Sequence, residues 1–236
     1  MRARGFSLLE CVLGLALSLF VVCACFGFFL AAERSYFRLR DGEEAAQGAL
    51  AALDKMRVDI LRAGQGLAPA AALGLVEPVA ETGGGLLVTR SERAFVLAAD
   101  VAAGDSRVPL ESVADLKPGR EVLVSDAEGG EVRTVASVGG GAVTVSPPLS
   151  RGYAQPGASL QLLERVALTL DARQGVLRRR VNASTAQPLL ENAGAAGFAF
   201  DRPANLVRIH FSLAPQGDAD YELCVFPKNT ALPGKG

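Results

Sequence analysis

Tryptophan is missing from this 236-residue chain, methionine occurs twice, and histidine occurs once, at His210. A single imidazole leaves few ways to assemble a histidine-based metal site or a Ser-His-Asp relay. Cysteine is almost as scarce. Of the four, Cys11, Cys23 and Cys25 lie in one apolar stretch, and Cys224 alone lies outside it, so no disulfide framework can form there. An excess of one charge is also lacking: 24 Lys+Arg stand against 25 Asp+Glu, for a net charge of -1. That balance argues against a surface built mainly to hold a polyanion, and no nucleic-acid partner is expected.

Motifs for catalysis are equally thin. Gly83-Gly84-Gly85 and Gly139-Gly140-Gly141 lead into no Gly-Lys-Ser/Thr helix start, so they read as turns, not phosphate cradles. His210 has no second histidine and no Gly-x-Ser-x-Gly partner motif. It alternates with Val207, Ile209 and Phe211 and is expected on the polar face of a strand. Asp126, Glu128, Asp218 and Asp220 show no EF-hand spacing. Neither enzymatic activity nor a cofactor is expected.

What the chain has instead is a long apolar run. Residues Cys11 to Ala32 carry no charge, and as a helix they would extend about 33 Å, enough to cross a hydrocarbon core. Arg2 and Arg4 precede the run, and Glu33, Arg34, Arg38, Arg40 and Asp41 follow it. The positive-inside rule then favours a cytoplasmic start and an exported body. A cleaved signal peptide is the competing reading, with Leu30-Ala31-Ala32 as a cleavage site, but its apolar core is usually much shorter. A lipoprotein reading at Val22-Cys23-Ala24-Cys25 lacks the polar tether that should follow the cysteine.

Glu10 stands at the start of this run. A charge near the membrane interior costs about 2.5–3.5 kcal/mol on insertion scales, so it needs either a place in the headgroup layer or a partner. Gly5-Phe6, then Ser7, Leu8, Leu9 and Glu10, resembles the class III leader of type IV pilins. The resemblance implies cleavage by prepilin peptidase between Gly5 and Phe6, N-methylation of Phe6, and an assembly role for Glu10. A cut after Gly5 would create a positive amine on Phe6 for Glu10 to neutralise, in its own chain or in a neighbour.

Beyond Ala32 the sequence stays free of proline to Ala63, with Ala46, Ala49, Leu53, Met56, Ile60 and Ala63 on one helix face. Asp54, Lys55, Asp59 and Arg62 fall off that face, with Lys55 and Asp59 spaced to pair. Gly64-Gln65-Gly66 reads as the stop. Gly27 is expected to permit either local melting or close helix packing.

Leu67 to Gly85 reads as a loop. Strands are expected over Leu86–Thr89, Phe95–Ala98, Glu121–Ser125, Glu131–Val138, Ala142–Val145 and Ser159–Leu163. A further strand carries Val166, Leu168 and Leu170; Asp171 to Gly175 turns, and Val176 to Val181 returns as its hairpin partner. Phe198 with Phe200, Leu206–Leu213 and Tyr221–Phe226 add more. Arg178 and Arg180 share one side of their strand and Arg179 takes the other, which suggests a solvated or partner-facing strand. Cys224 reads as a small core residue.

Two more stretches carry a family resemblance. LDKMRVDILRAG, Leu53 to Gly64, is similar to the end of the long helix in PilW-type minor pilins and J-type minor pseudopilins of type II secretion. GVLRRRVNASTAQPLLENAGAAGFAF, followed by NLVRIHFSLA, resembles the closing strands of PilW-type proteins. The implied fold is α+β, a long N-terminal helix on an antiparallel sheet. The implied organisation is a leader (1–5), a transmembrane helix (6–32), its amphipathic continuation (33–63), a pilin sheet (64–99 and 164–226), an inserted β module (100–163) and a tail (227–236). The implied role is a minor pilin that primes and caps a type IV filament. The J-type pseudopilin is the alternative, as is a tip adhesin acting through residues 100–163. Implied partners are other minor pilins, the major pilin, the prepilin peptidase and the inner-membrane assembly platform, with a single pass through the bacterial inner membrane.

Overall fold

The computed structural model describes residues 8–214 and 220–230. The chain divides into two units, the first ending at Gly48 and the second beginning at Ala49. One helix, α1 (Leu8–Leu61), contributes residues to both.

In the first unit, runs of Leu, Val, Ala and Phe without proline keep the helix unbroken through Gly14 and Gly27. No neighbouring atom lies within 4 Å of where a Cβ would stand on either glycine. Every residue from 8 to 40 is exposed, including Leu8, Phe20, Phe26, Phe28 and Phe29. A continuous apolar surface of this size is unstable in water and marks contact with lipid or protein. The helix is long and apolar enough to cross a membrane.

In the second unit α1 becomes one-sided. Ala49, Ala52, Met56, Asp59 and Ile60 are buried at helical spacing. Leu53, expected on that face, is only half-buried, and Ala52 takes its place. The helix stops at Leu61; Gly64 then adopts a left-handed φ of 71° and its N–H donates to Thr89 O at 2.8 Å. A Cβ on Gly64 would lie 2.7 Å from Asn229 O, a backbone atom that cannot swing aside. Gly64→Ala therefore meets both a disfavoured φ and a clash, and should lower unfolding stability by about 1–3 kcal/mol in a denaturant titration of the detergent-solubilised chain.

The stretch read as a loop contains two short elements, α2 (Ala68–Ala72) and β1 (Val79–Thr82). Pro69 at the start of α2 fits the first turn, where its missing N–H costs nothing. The strands that follow are β2 (Gly85–Val96), β3 (Arg107–Pro109), β4 (Glu121–Ser125), β5 (Gly130–Gly139) and β6 (Ala142–Ser146). Next come β7 (Ser159–Asp171), β8 (Val176–Val181) and β9 (Gln187–Leu190). The last three are β10 (Ala193–Asp201), β11 (Leu206–Leu213) and β12 (Asp220–Val225). The secondary structure is thus α+β, with every strand pair antiparallel.

Two long strands organise the sheet. β2 merges the two runs expected separately at Leu86–Thr89 and Phe95–Ala98, and its first half lies in the order β1-β2-β7-β8-β9. Leu86 pairs with Leu168 and Val88 with Val166, all four buried on one face. The hairpin expected after Leu170 is present, with Asp171 paired to Val176. A register shift between Ser91 and Arg93 marks a bulge at Glu92.

Beyond that bulge the same two strands enter a closed barrel. The path β2-β7-β4-β5-β6-β3 returns to β2 through an antiparallel bridge between Leu97 and Leu110. Ala98 N donates to Pro109 O at 3.0 Å, and Glu111 N donates to Val96 O at 3.1 Å. Closure leaves these six segments without an open edge. Inside lie Phe95, Leu97, Val122, Val124, Val143, Val145, Leu160 and Leu162. Leu123 and Leu163 point the other way, packed with Leu67, Ala70 and Val76 around α2. That double burial explains why β4 is apolar on both faces. The segment 100–163 supplies β3 to β6 and the start of β7, and β7 runs without interruption past residue 163.

The third layer is a separate sheet, β10-β11-β12. Val207, Ile209, Phe211 and Leu213 are buried, and His210 alternates outward as its spacing implied. The His210 ring lies over Gly197, where a Cβ would sit 1.9 Å from Cε1. Cys224 does not belong to the core: it is exposed beside Glu222, because Leu223 and Val225 take the inward positions of β12. The sheet is tied to β1 by Phe200 N donating to Glu81 Oε1 at 2.6 Å, and to the turn before β1 by an Arg202–Glu77 ion pair. The start of the expected tail is also tied down. Asn205 Nδ2 donates to Pro227 O at 3.0 Å, and the single Thr230 hydroxyl proton faces both Asn205 Oδ1 at 2.5 Å and Pro227 O at 2.8 Å.

Candidate assembly site

The sequence points first to the amino-terminal turn of α1. Gly5 and Phe6 lie outside the described residues. Glu10 lies in the first turn of the helix, exposed. A carboxylate there meets the positive end of the helix dipole, worth about 0.3–1 kcal/mol. Glu10, Gly14 and Ser18 follow one another at i, i+4 spacing and so share a row on the helix. Ser18 Oγ donates to Gly14 O at 2.8 Å, which satisfies the hydroxyl within its own helix. This row is narrow and small-sided, flanked by the exposed Leu13, Leu15, Leu17 and Val21.

The second constellation is buried and was not apparent from helix periodicity. Asp59, expected on the solvated face, is 2% exposed. Arg179 Nε and Nη2 donate to its two carboxylate oxygens at 2.6 and 3.0 Å. This fork joins α1 to β8, so the middle arginine of Arg178-Arg179-Arg180 is neither solvated nor free for a partner. Hydrogen bonding to Asp59 outweighs burial and holds the Arg179 guanidinium above its ordinary value. Glu164 adds to that effect, and itself accepts from Arg90 Nη2 at 2.6 Å. Arg178 pairs with Asp171 across the β7–β8 hairpin.

Within the barrel wall, Glu131 on β5 gathers the loop that follows β6. It accepts from Ser150 N at 3.0 Å, Ser150 Oγ at 2.5 Å and Tyr153 OH at 3.1 Å, and pairs with Arg133. Burial raises its pKa, but the hydrogen bonds from Ser150, Tyr153 and Arg151 N together lower it below the ordinary carboxylate value. Burial and the Glu131 charge push the Tyr153 hydroxyl far up. A carboxyl depressed in the folded state stabilises it above the unfolded pKa, and that contribution is lost as pH falls through the folded pKa. Acid should therefore loosen the barrel, and Glu131→Gln should flatten the decline in thermal midpoint between neutral pH and the acid side of the carboxylate range. An unchanged slope would remove Glu131 from that role.

Asp126 is committed as well. Its Oδ1 accepts from Glu128 N and Gly129 N, both at 2.9 Å, and both oxygens face Arg151 Nη2. Asp218 lies outside the described residues.

The second unit also carries surface clefts. One, of about 580 Å³, is mainly apolar, with Val76, Pro78, Val79 and Phe200 in its wall. Another, of about 520 Å³, lies over the sheet face that carries Leu87 and Ala167, and Arg120, Arg165 and Arg180 reach it from three strands or their ends.

No family model matches the chain, and no curated protein matches it. Among solved structures it is similar over 34% of its length to the Gp54 tailspike of Acinetobacter baumannii bacteriophage AP22, determined in complex with A. baumannii capsular saccharide. The identity is 17%, the TM-score 0.28, and the match spans 15% of the tailspike chain. A likeness that slight assigns neither a fold nor a role.

Proposed function

We propose that this chain is a minor pilin, a non-catalytic subunit that primes assembly of a type IV filament and caps its tip. The observation that carries the reading is α1: one helix, exposed and apolar from its first turn, with Glu10 in that turn. Such a helix can rest in a bilayer before assembly and pack among neighbouring helices afterwards, since both surroundings cover its apolar surface. The leader Gly5-Phe6 fits the same sequence of events: prepilin peptidase removes residues 1–5, and Phe6 is methylated at the new amino terminus.

The assembly step is electrostatic. An ammonium on Phe6 and a carboxylate on Glu10 are each costly in an apolar packing of helices, and together they form one hydrogen-bonded pair. A pair formed between neighbours also sets the axial register of one subunit against the next. The remainder of the second unit supplies a folded head, with the Asp59–Arg179 fork locking helix to sheet.

A J-type minor pseudopilin of a type II secretion system would use the same leader and helix. Purifying the intact tip complex and identifying its subunits separates the two. Pilus minor pilins and the major pilin in the complex support the pilus reading; pseudopilins in their place support secretion; neither class co-purifying overturns both.

A further inference from the structure

We infer that the arginine-lined cleft on the outer face of the β1-β2-β7-β8 sheet is a binding site for an acidic peptide segment of a partner protein. The site goes beyond the filament reading and stands without it.

The cleft forms where the barrel meets the sheet. Its floor is the cross-strand row Leu87–Ala167–Arg180, on the face opposite the buried Leu86, Val88, Val166 and Leu168. One wall is Gly119–Glu121, the turn that leads into β4. The other is Asn182 and the turn after β8. Small residues, Ala167 and Gly119, keep it open.

Its lining carries three arginines against one carboxylate, Glu121. Three successive arginines on β8 differ in their partners: Arg178 meets Asp171 and Arg179 meets Asp59, both within ion-pair distance. Arg180 projects into the cleft, exposed, with no carboxylate in ion-pair distance among the described residues. Beside it, Arg165 contacts Glu121 at 2.6 Å, yet its buried Nε makes no well-directed hydrogen bond there. Arg120 is held by Glu92 at 2.5 Å and by Leu163 O at 3.1 Å, so its position is fixed. Glu121 is the one carboxylate lining the cleft among the described residues. In a chain of net charge -1, this local excess of cations is a feature of the site and not of the whole surface.

Asn182 completes the donor set. It holds a left-handed φ of 51°; its N–H donates to Arg165 O at 2.7 Å, and its Oδ1 accepts from Arg165 N at 2.8 Å. Those two bonds pin the side chain of this cleft-lining residue with Oδ1 occupied, which leaves its Nδ2 amide as the remaining donor. A planar guanidinium and an amide donor lining one cleft are the groups that suit the two oxygens of a carboxylate. The ligand class follows from what surrounds them. Among the described residues no aromatic side chain lines the cleft, so a sugar ring or a base finds no stacking platform there, whereas Leu87 and Ala167 suit the aliphatic part of a Glu side chain and an apolar neighbour.

The test is titration of the full chain in detergent, at low ionic strength, with acetyl-Ala-Glu-Leu-Glu-Ala-amide. The controls are its Gln-for-Glu counterpart, inorganic phosphate and glucuronate. Specific, salt-sensitive binding of the acidic peptide is expected, weakened about tenfold or more by Arg180→Gln. Arg173→Gln, an exposed arginine in the β7–β8 turn outside the cleft, should leave it unchanged. Equal binding by the Gln peptide, no binding by the acidic peptide, phosphate or glucuronate binding as tightly as the peptide, or equal loss in both arginine variants would overturn the assignment. Because Arg180 is exposed and makes no ion pair among the described residues, its replacement leaves the fold intact, and an unchanged thermal midpoint confirms this within the same experiment.

Discussion

Glu10→Gln should remove the chain from filaments while leaving its membrane insertion and its folded head unchanged. On the proposed reading the carboxylate is needed only where α1 packs against neighbouring helices and a Phe6 ammonium must be neutralised. Leaving that ammonium buried without its acid costs several kcal/mol, which is a drop in incorporation of about a hundredfold or more. The helix dipole contributes less: losing a first-turn carboxylate costs at most about 1 kcal/mol. A fall in filament incorporation of less than about tenfold would therefore assign Glu10 to the helix terminus and not to assembly. Glu10→Asp retains the charge on a shorter side chain: it should recover only part of the incorporation if the carboxylate must reach the Phe6 ammonium, whereas a role confined to the helix dipole would be restored in full. Quantifying the subunit in sheared filaments, against its amount in membranes, reads both variants.

The second large effect lies in the head. Asp59→Ala leaves the Arg179 guanidinium under α1 without the two oxygens that it meets at 2.6 and 3.0 Å. With Asp59 2% exposed, water cannot replace them without opening the helix–sheet contact. Breaking a buried pair by removing one partner typically costs about 3–5 kcal/mol, and the same loss is expected here from denaturant unfolding. The double variant Asp59→Leu with Arg179→Met removes both charges and keeps the volume, and should recover most of that stability. A single-variant loss under about 1 kcal/mol would mean that the pair behaves as an exposed one. Apolar replacement that fails to recover would instead give the fork a role in specifying how helix and sheet dock.

These two sites differ in how far the sequence revealed them. Glu10 is conspicuous because it interrupts a long uncharged neighbourhood, a signal that needs no knowledge of the fold. Asp59 gives no such signal: it is one acid among Asp54, Lys55 and Arg62, and a helical stripe drawn through Met56 and Ile60 excludes it. Its burial depends on Arg179, 120 positions later in the chain. The long helix and its stop were legible, since the first requires only the absence of breakers and the second a glycine able to take a positive φ. The β7–β8 hairpin was legible for the same local reason: an alternating run, a short turn and a matching run.

Barrel closure was not legible. The separate strands β4, β5 and β6 were visible from alternation and turn residues, but nothing local says that Leu97 will pair with Leu110. Reading β2 as two strands had a related cause. Ser91, Glu92 and Arg93 look like a connection by composition, yet the bulge there lets a polar stretch continue the ladder while the strand passes from sheet to barrel. Cys224 shows the opposite case, in which the information was present: Asp220 and Glu222 share its parity on β12, and that parity faces outward. Gly5 and Phe6 carry the leader reading on sequence alone.

The most direct test of the account is the mass of the mature amino terminus, measured on the chain isolated from membranes of its own host. A chain beginning at Phe6 and carrying one added methyl group is the predicted result. A chain beginning at unmodified Met1, or one cut near Ala32, contradicts it.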